Sequence, residues 1–178
     1  MAIYVKLYLF ARNGRNYLAV TKCHGGRVVV NQHPFKIIPY DPTYAEQTVV
    51  MWRDSKKQAI GQEERHSMES HIYFLNHILL EEFQIDLAFM DNQVIGMIAY
   101  NEKEISQLYI HIDYQGLGVG QTLLDHVKKQ SSGRLTLFTF KVNKNAQRFY
   151  EKNGFTIIGK GHENEENLPD IQYEWIDK

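Results

Sequence analysis

Gln115-Gly116-Leu117-Gly118-Val119-Gly120 decides how this chain is read, because it stands between a predicted strand and the start of a predicted helix. Glycines let a backbone turn tightly and approach a ligand closely. Unpaired amides and the helix dipole at such a junction favour an anion. Taken alone, the turn fits either a phosphate cradle or a plain strand-to-helix connection. A Walker A loop is excluded, since no Gly-Lys-Ser/Thr ending follows. The dinucleotide fingerprint fits poorly too: it requires Gly-x-Gly-x-x-Gly after the first strand of a βαβ unit, and the spacing here is Gly-x-Gly-x-Gly.

Outward from the turn, the run Glu104 to Ile112 reads as the preceding strand, but its alternation is broken. Ile105 has odd parity, whereas Leu108, Ile110 and Ile112 have even parity. Either a β-bulge or a strand buried on both faces produces that pattern. After Gly120, Leu123, Leu124 and Val127 mark one face of a helix that stops at Ser131-Ser132-Gly133. Leu135 to Phe140 reads as a strand, Ala146, Phe149 and Tyr150 as a short helix closed by Asn153-Gly154, and Phe155 to Ile158 and Ile171 to Trp175 as the last two strands.

Upstream, Pro34 divides the chain. Before it, residues 3–9 and 17–22 form a predicted hairpin around Asn13-Gly14, followed by a third strand at Val28 to Asn31, giving a small β extension over 1–33. After it come a short strand at Phe35 to Ile38, a helix with Tyr44, Ala45, Thr48, Val49 and Trp52 capped by Asp41 or Thr43, a second helix over Met68 to Phe83, and strands Asp86 to Met90 and Val94 to Tyr100. The fold class is mixed α/β, and the main domain spans 34–178.

Bulk properties narrow the function. The 178 residues are 43% hydrophobic, enough for one sizeable core. Twenty basic residues against 21 acidic ones give a net charge of -1, which offers no bulk attraction to nucleic acid or an anionic membrane. No run is long enough to span a bilayer, and Met1 to Ala11 reads as a strand, not as a signal peptide. Cys23 is the only cysteine, so no internal disulfide or thiolate zinc site is expected, and a cytoplasmic location follows. His66, His71 and His77 lie five and six residues apart, off a common helical face, so no metal site is expected.

A second segment about twenty-five residues beyond the glycine turn, Asn143 to Phe155, supplies the resemblance. The turn resembles the Gln/Arg-x-x-Gly-x-Gly/Ala pyrophosphate motif of the GNAT superfamily of N-acetyltransferases, matched by Gln115, Gly118 and Gly120. The second segment is similar to that superfamily's Asn-x-x-Ala-x-x-Phe-Tyr-x-x-x-Gly-Phe motif, matched at Asn143, Ala146, Phe149, Tyr150, Gly154 and Phe155. The resemblance covers residues 35–178, and the ending, with Asn164, Glu165, Pro169-Asp170, Tyr173 and Trp175, resembles a bacterial subgroup.

The resemblance implies a mostly antiparallel central sheet flanked by helices, and transfer of an acetyl group from acetyl-CoA to a primary amine. It implies that the backbone of Leu108, Tyr109, Ile110, His111 and Ile112 pairs with the pantetheine arm. It implies that amides of Gln115, Gly116, Leu117, Gly118, Val119, Gly120 and Gln121 cradle the pyrophosphate, with Asn143, Ala146 and Phe149 lining the other side. Tyr150 is the implied general acid, since a phenol of pKa about 10 stays protonated beside a departing thiolate of pKa about 8.5. Its other reading is an aromatic packing residue. Glu104 is the implied base, acting directly or through water, with His111 and Asp113 as alternatives. Trp52 reads as core at the end of a helix that borders the acceptor site in relatives. A small-molecule or peptide amine is the expected acceptor, and the resemblance is compatible with a homodimer. The competing reading is a non-catalytic acyl-CoA-binding or sensing module, which would not need Tyr150.

Overall fold

The computed structural model describes residues 9–12, 15–18, 22–24, 27–29, 35–162 and 164–177. The chain divides into two compact units, 1–36 and 37–178. In the first, β1 (Leu9–Arg12) and β2 (Arg15–Leu18) form one antiparallel hairpin, and β3 (Lys22–His24) and β4 (Arg27–Val29) a second. The expected strand residues 3–8, 19–21 and 30–31 lie outside the described residues.

β5 (Lys36–Pro39) starts at the last residue of the first unit, and the elements after it belong to the second. Asp41 caps a 3₁₀ turn by accepting the Thr43 N–H at 2.9 Å, and α1 (Ala45–Ile60) follows, ending where Gly61 turns left-handed at φ 71°. Ser67 caps α2 (Met68–Phe74), which continues through a π-helical turn at Leu75–Leu79 into α3 (Leu80–Glu82). The predicted second helix is therefore continuous in sequence but widened in its middle. Next come β6 (Gln84–Met90) and β7 (Gln93–Tyr100), joined through Asp91 and Asn92, both at positive φ as a tight two-residue hairpin demands.

β8 (Ile105–Ile110) completes an antiparallel sheet of order β5-β6-β7-β8. Helix α4 (Val119–Gln130) leads to β9 (Arg134–Phe140), then α5 (Lys144–Lys152), β10 (Thr156–Gly161) and β11 (Asp170–Ile176). The last three strands form a second antiparallel sheet of order β10-β11-β9.

Strands β6 and β7 are buried on both faces, which is why their sequences are nearly continuous apolar runs. One face, with Leu87, Phe89 and Met97, packs into the cluster of Val49, Trp52 and Leu75 from α1, α2 and its π-helical continuation. The other lies under α4, whose Leu123, Leu124 and Val127 are fully buried. Full burial of each contributes roughly 1.5–3 kcal/mol. At Gly96 a Cβ would stand 3.0 Å from Ile110 Cδ1 and 3.2 Å from Val119 Cγ1, so the bare backbone lets α4 settle onto β7.

Candidate acyl-transfer site

The irregular alternation in β8 is a bulge. Ala99 pairs with Gln107 and Tyr100 with Ile105, so Ser106 is the extra residue. Just before it, Glu104 and Thr136 make a parallel bridge, and Thr136 N–H donates to the Lys103 carbonyl at 2.8 Å. β8 and β9 meet there and belong to different sheets beyond it. A cleft of about 660 Å³ opens between them, with Ser106, Leu108 and Tyr109 on one wall and Phe138 and Phe140 on the other.

Ladder parity shows what β8 offers this wedge. His111 N–H donates to the Ile95 carbonyl at 2.9 Å, so alternate residues turn their backbone groups away from β7. Those residues are Ile110 and Leu108. The Ile110 carbonyl indeed accepts from Gln115 Nε2 at 3.2 Å, on the side away from β7. The Leu108 groups face the same way, and an extended amide-containing chain laid in the wedge could pair with them.

The strand is shorter than expected. The sequence extends it through Ile112, but Ile112–Tyr114 is a 3₁₀ turn. Asp113 N–H donates to His111 Nδ1 at 3.2 Å and Tyr114 N–H to the His111 carbonyl at 2.9 Å, which folds the backbone out of the extended conformation. The chain then enters the glycine turn. Gly116 at φ 76° and Gly118 at φ 86° adopt the left-handed conformation that side-chain-bearing residues avoid. Gly118 is the N-cap of α4, so the first amides of the helix lack carbonyl partners within it and are aimed outward. Gly120 faces the neighbouring helix, and a Cβ there would lie 3.6 Å from both Ile110 Cγ1 and Phe149 Cζ. These features fit a pyrophosphate, with the partial positive charge of the helix end as the attraction.

Helix α5 borders the opposite side. Asn143 caps it by accepting the Ala146 N–H at 3.0 Å, and Asn143, Ala146 and Tyr150 all line the cleft. Tyr150 is 7% exposed, its ring 5.6 Å from that of Phe155 and 6.1 Å from that of Tyr173. Packing and cleft-lining roles thus coexist in one side chain. Burial first, and then the nearby Tyr109 phenol, push its pKa well above the usual tyrosine value. The hydroxyl keeps its proton throughout the neutral range.

The other expected residues are placed differently. Glu104 sits at the seam of the two sheets, its N–H held by Asn101 Oδ1 at 2.9 Å, and it does not line the cleft. Ile110, His111, Phe149 and the residues from Gln115 to Gln121 are not in that lining either. Ile110 and Phe149 instead lie beside Gly120, in the first turn of α4.

Sequence reasoning reached the far end of the cleft only in part, through Trp52 at the border of the acceptor site and an acidic final loop, Glu165 and Glu166 included, that reads either as a solvated loop or as an attraction for a cationic amine; it missed Lys56, His71 and Phe74. α1 contributes Trp52 and Lys56, α2 contributes His71 and Phe74, and the connection between β10 and β11 contributes Glu165 and Glu166. Trp52 stacks between His71 at 5.3 Å and Tyr109 at 5.5 Å, so the expected core tryptophan also forms the cleft wall. Burial, more than any neighbouring charge, raises the Tyr109 pKa. The available signal was the helical spacing of Trp52, Lys56 and Ile60, and of Ser70, Phe74 and Ile78, which puts each set along one helix face. Among the described residues, no group of His, Cys, Asp and Glu could hold a metal, and no helix is long and apolar enough to cross a membrane.

The sequence model described as Acetyltransferase (GNAT) domain matches residues 41–176. Solved structures share the fold. YjaB from Escherichia coli, in its apo form, is 20% identical with a TM-score of 0.67, covering 81% of this chain and 99% of its own. The PaiA N-acetyltransferase from Thermoplasma acidophilum, solved in complex with coenzyme A, is 24% identical with a TM-score of 0.62, covering 81% and 99%. An acetyltransferase from Thermus thermophilus is 22% identical with a TM-score of 0.66, covering 81% and 97%. No curated protein matches the chain by sequence.

Proposed function

The chain belongs to the GNAT acetyltransferase family, and from that premise we propose that it transfers an acetyl group from acetyl-CoA to a primary amine, with Tyr150 as general acid. The observation that carries this reading is a single cleft holding both the outward-turned backbone of Leu108 and the protonated hydroxyl of Tyr150. When bound, acetyl-CoA supplies a thioester carbonyl activated toward amines and a thiolate as leaving group.

The residues divide the work. Amides at the start of α4 and in the glycine turn hold the pyrophosphate. Leu108 lends its backbone N–H and carbonyl to the pantetheine amides, as a neighbouring strand would, and so orients the acyl end toward α5. Asn143 and Ala146 close the opposite wall. Tyr150 Oη holds the proton that the departing sulfur needs, and burial prevents its premature loss to solvent. Glu104, at the seam, removes the amine proton through water and not by direct contact, since its side chain stands outside the lining.

The test is parallel calorimetric titration of the protein with acetyl-CoA, CoA, ATP and NADH, followed by thiol release with amine acceptors. Saturable binding of the CoA compounds, with amine-dependent thiol release, is the expected result. Preferential ATP or NADH binding would overturn the cofactor assignment. CoA binding with no thiol release from any amine would favour a sensing module instead.

A further inference from the structure

Beside the main cleft lies a second cavity of about 280 Å³. The two share Lys56, Ile60, His66, Glu165 and Glu166, so the Lys56–Glu166 pair stands in the wall between them. This wall carries unbalanced charge. Lys56 Nζ is 2.5 Å from Glu166 Oε1 and 3.3 Å from Glu64 Oε2, and none of the three side chains is more than 16% exposed. One ammonium answers two carboxylates, which leaves one negative charge with little solvent to screen it.

The remaining neighbours do not remove that surplus. His71 Nε2 approaches Glu64 Oε2 at 3.7 Å, yet burial holds the imidazole below the usual histidine range and keeps it neutral near pH 7. Glu63 is answered by Lys57 at 2.7 Å; Arg65 donates to the Glu165 carbonyl at 3.0 Å and Arg53 to the His66 carbonyl at 3.1 Å, so both keep their charge, but among the described residues neither forms an ion pair with Glu64 or Glu166. Among the described residues, the Glu165 carboxylate, 78% exposed, pairs with the His66 ring at 3.3 Å.

A second observation asks for a ligand rich in N–H donors. His71 is 6% exposed and lines the cleft, and among the described residues its Nδ1 has no hydrogen-bond partner. With Nε2–H turned toward Glu64, Nδ1 is left as a lone-pair acceptor. Trp52 and Tyr109, stacked beside it, provide aromatic surface for an aliphatic chain and its cation.

We propose that the acceptor is a linear aliphatic amine bearing a second ammonium group, whose reacting end lies at Tyr109 and Tyr150 and whose distal ammonium binds at Glu166, where the two cavities meet. This assignment rests on the acyl-transfer reading above and names its substrate class. The distal ammonium supplies the missing positive charge, and a monoamine of equal length leaves it missing.

The test compares acetylation of cadaverine and of n-hexylamine, which have nearly the same length but differ in the terminal charge, with acetyl-CoA binding followed in parallel by calorimetry. Cadaverine is expected to show about tenfold higher kcat/KM, the scale of one partly screened charge pair. Glu166→Gln and, separately, the exposed Glu165→Gln are expected to raise the cadaverine KM and shrink that ratio, while acetyl-CoA still binds. Equal use of the two amines, or an unchanged ratio in both variants, would overturn the proposal. Failure to acetylate either amine while acetyl-CoA binds would overturn the diamine class and leave acyl transfer standing. Failure to bind acetyl-CoA at all would overturn both.

Discussion

Replacing Tyr150 by Phe separates its two roles. The ring contacts with Phe155 and Tyr173 survive the change, and no hydrogen bond to the hydroxyl is found among the described residues. Stability should therefore move by no more than about 0.5 kcal/mol, as for a substitution that removes no packing and no partner. The proton donor, by contrast, is lost outright. General acid catalysis contributes about 10²–10⁴-fold, so kcat should fall by at least about 10²-fold, or roughly 2.7 kcal/mol of transition-state stabilisation at 1.36 kcal/mol per decade. Thiol release at saturating acetyl-CoA reads the rate, calorimetry reads binding, and urea denaturation reads stability. The expected outcome is unchanged binding and unchanged unfolding midpoint with the rate reduced. A kcat within about threefold of the parent would refute the assignment, because a donor worth about 10²-fold cannot be removed so cheaply.

Two further outcomes follow from the geometry. Gly118→Val places a β-branched residue at φ 86°, with open space around the new Cβ, so the cost is backbone strain of roughly 1–3 kcal/mol and not a clash. Because Gly118 is the N-cap of α4, CoA affinity in calorimetry should fall with it, and an unaltered Kd would argue against a pyrophosphate at this turn. The second concerns acid. Burial lowers the His71 pKa, opposed by Glu64 and reinforced by Arg53, Lys56 and His66, so the unfolded chain binds the proton more readily. Its stabilising contribution is complete above the unfolded value of about 6.5 and is lost as pH falls through the lower folded value. Thermal unfolding from pH 7 down to pH 5 should show a decline in Tm that His71→Gln makes shallower, and equal slopes in the two proteins would contradict this.

Sequence alone reached the framework because the framework is local. The slip between Ile105 and Leu108 is a single extra residue, Ser106, and it breaks the period-2 pattern that any strand facing two environments must show. The glycine turn is likewise encoded within a few residues, and a strand-to-helix junction needs no distant partner to be recognised. Ile112 misled because an apolar residue at the right parity extends a strand on paper, whereas hydrogen bonds to His111 fold it into a turn. Expectations for residues 1–8 fall outside the described residues.

The acceptor end was legible only in part, at Trp52 and in the acidic loop of Glu165 and Glu166, and for a different reason. Lys56, Glu64 and Glu166 come together from α1, the segment before α2 and the segment before β11, and no period links positions so far apart. Each also has a bland local reading: Lys56 as a solvated helix residue, Glu166 as one charge in an acidic loop, His71 as a helix histidine. Their meaning appears only when burial is known, since the same charges in water would be screened and would select nothing. This asymmetry matches the chemistry. In the proposed function the acyl donor is held through backbone groups, so its site is written as glycines and a bulge, features that a sequence displays directly. On the proposed reading the acceptor is selected by side-chain charge in a cleft assembled from several elements, so its class becomes legible only once the two sheets have parted at Glu104 and Thr136 and the two cavities have formed around Lys56.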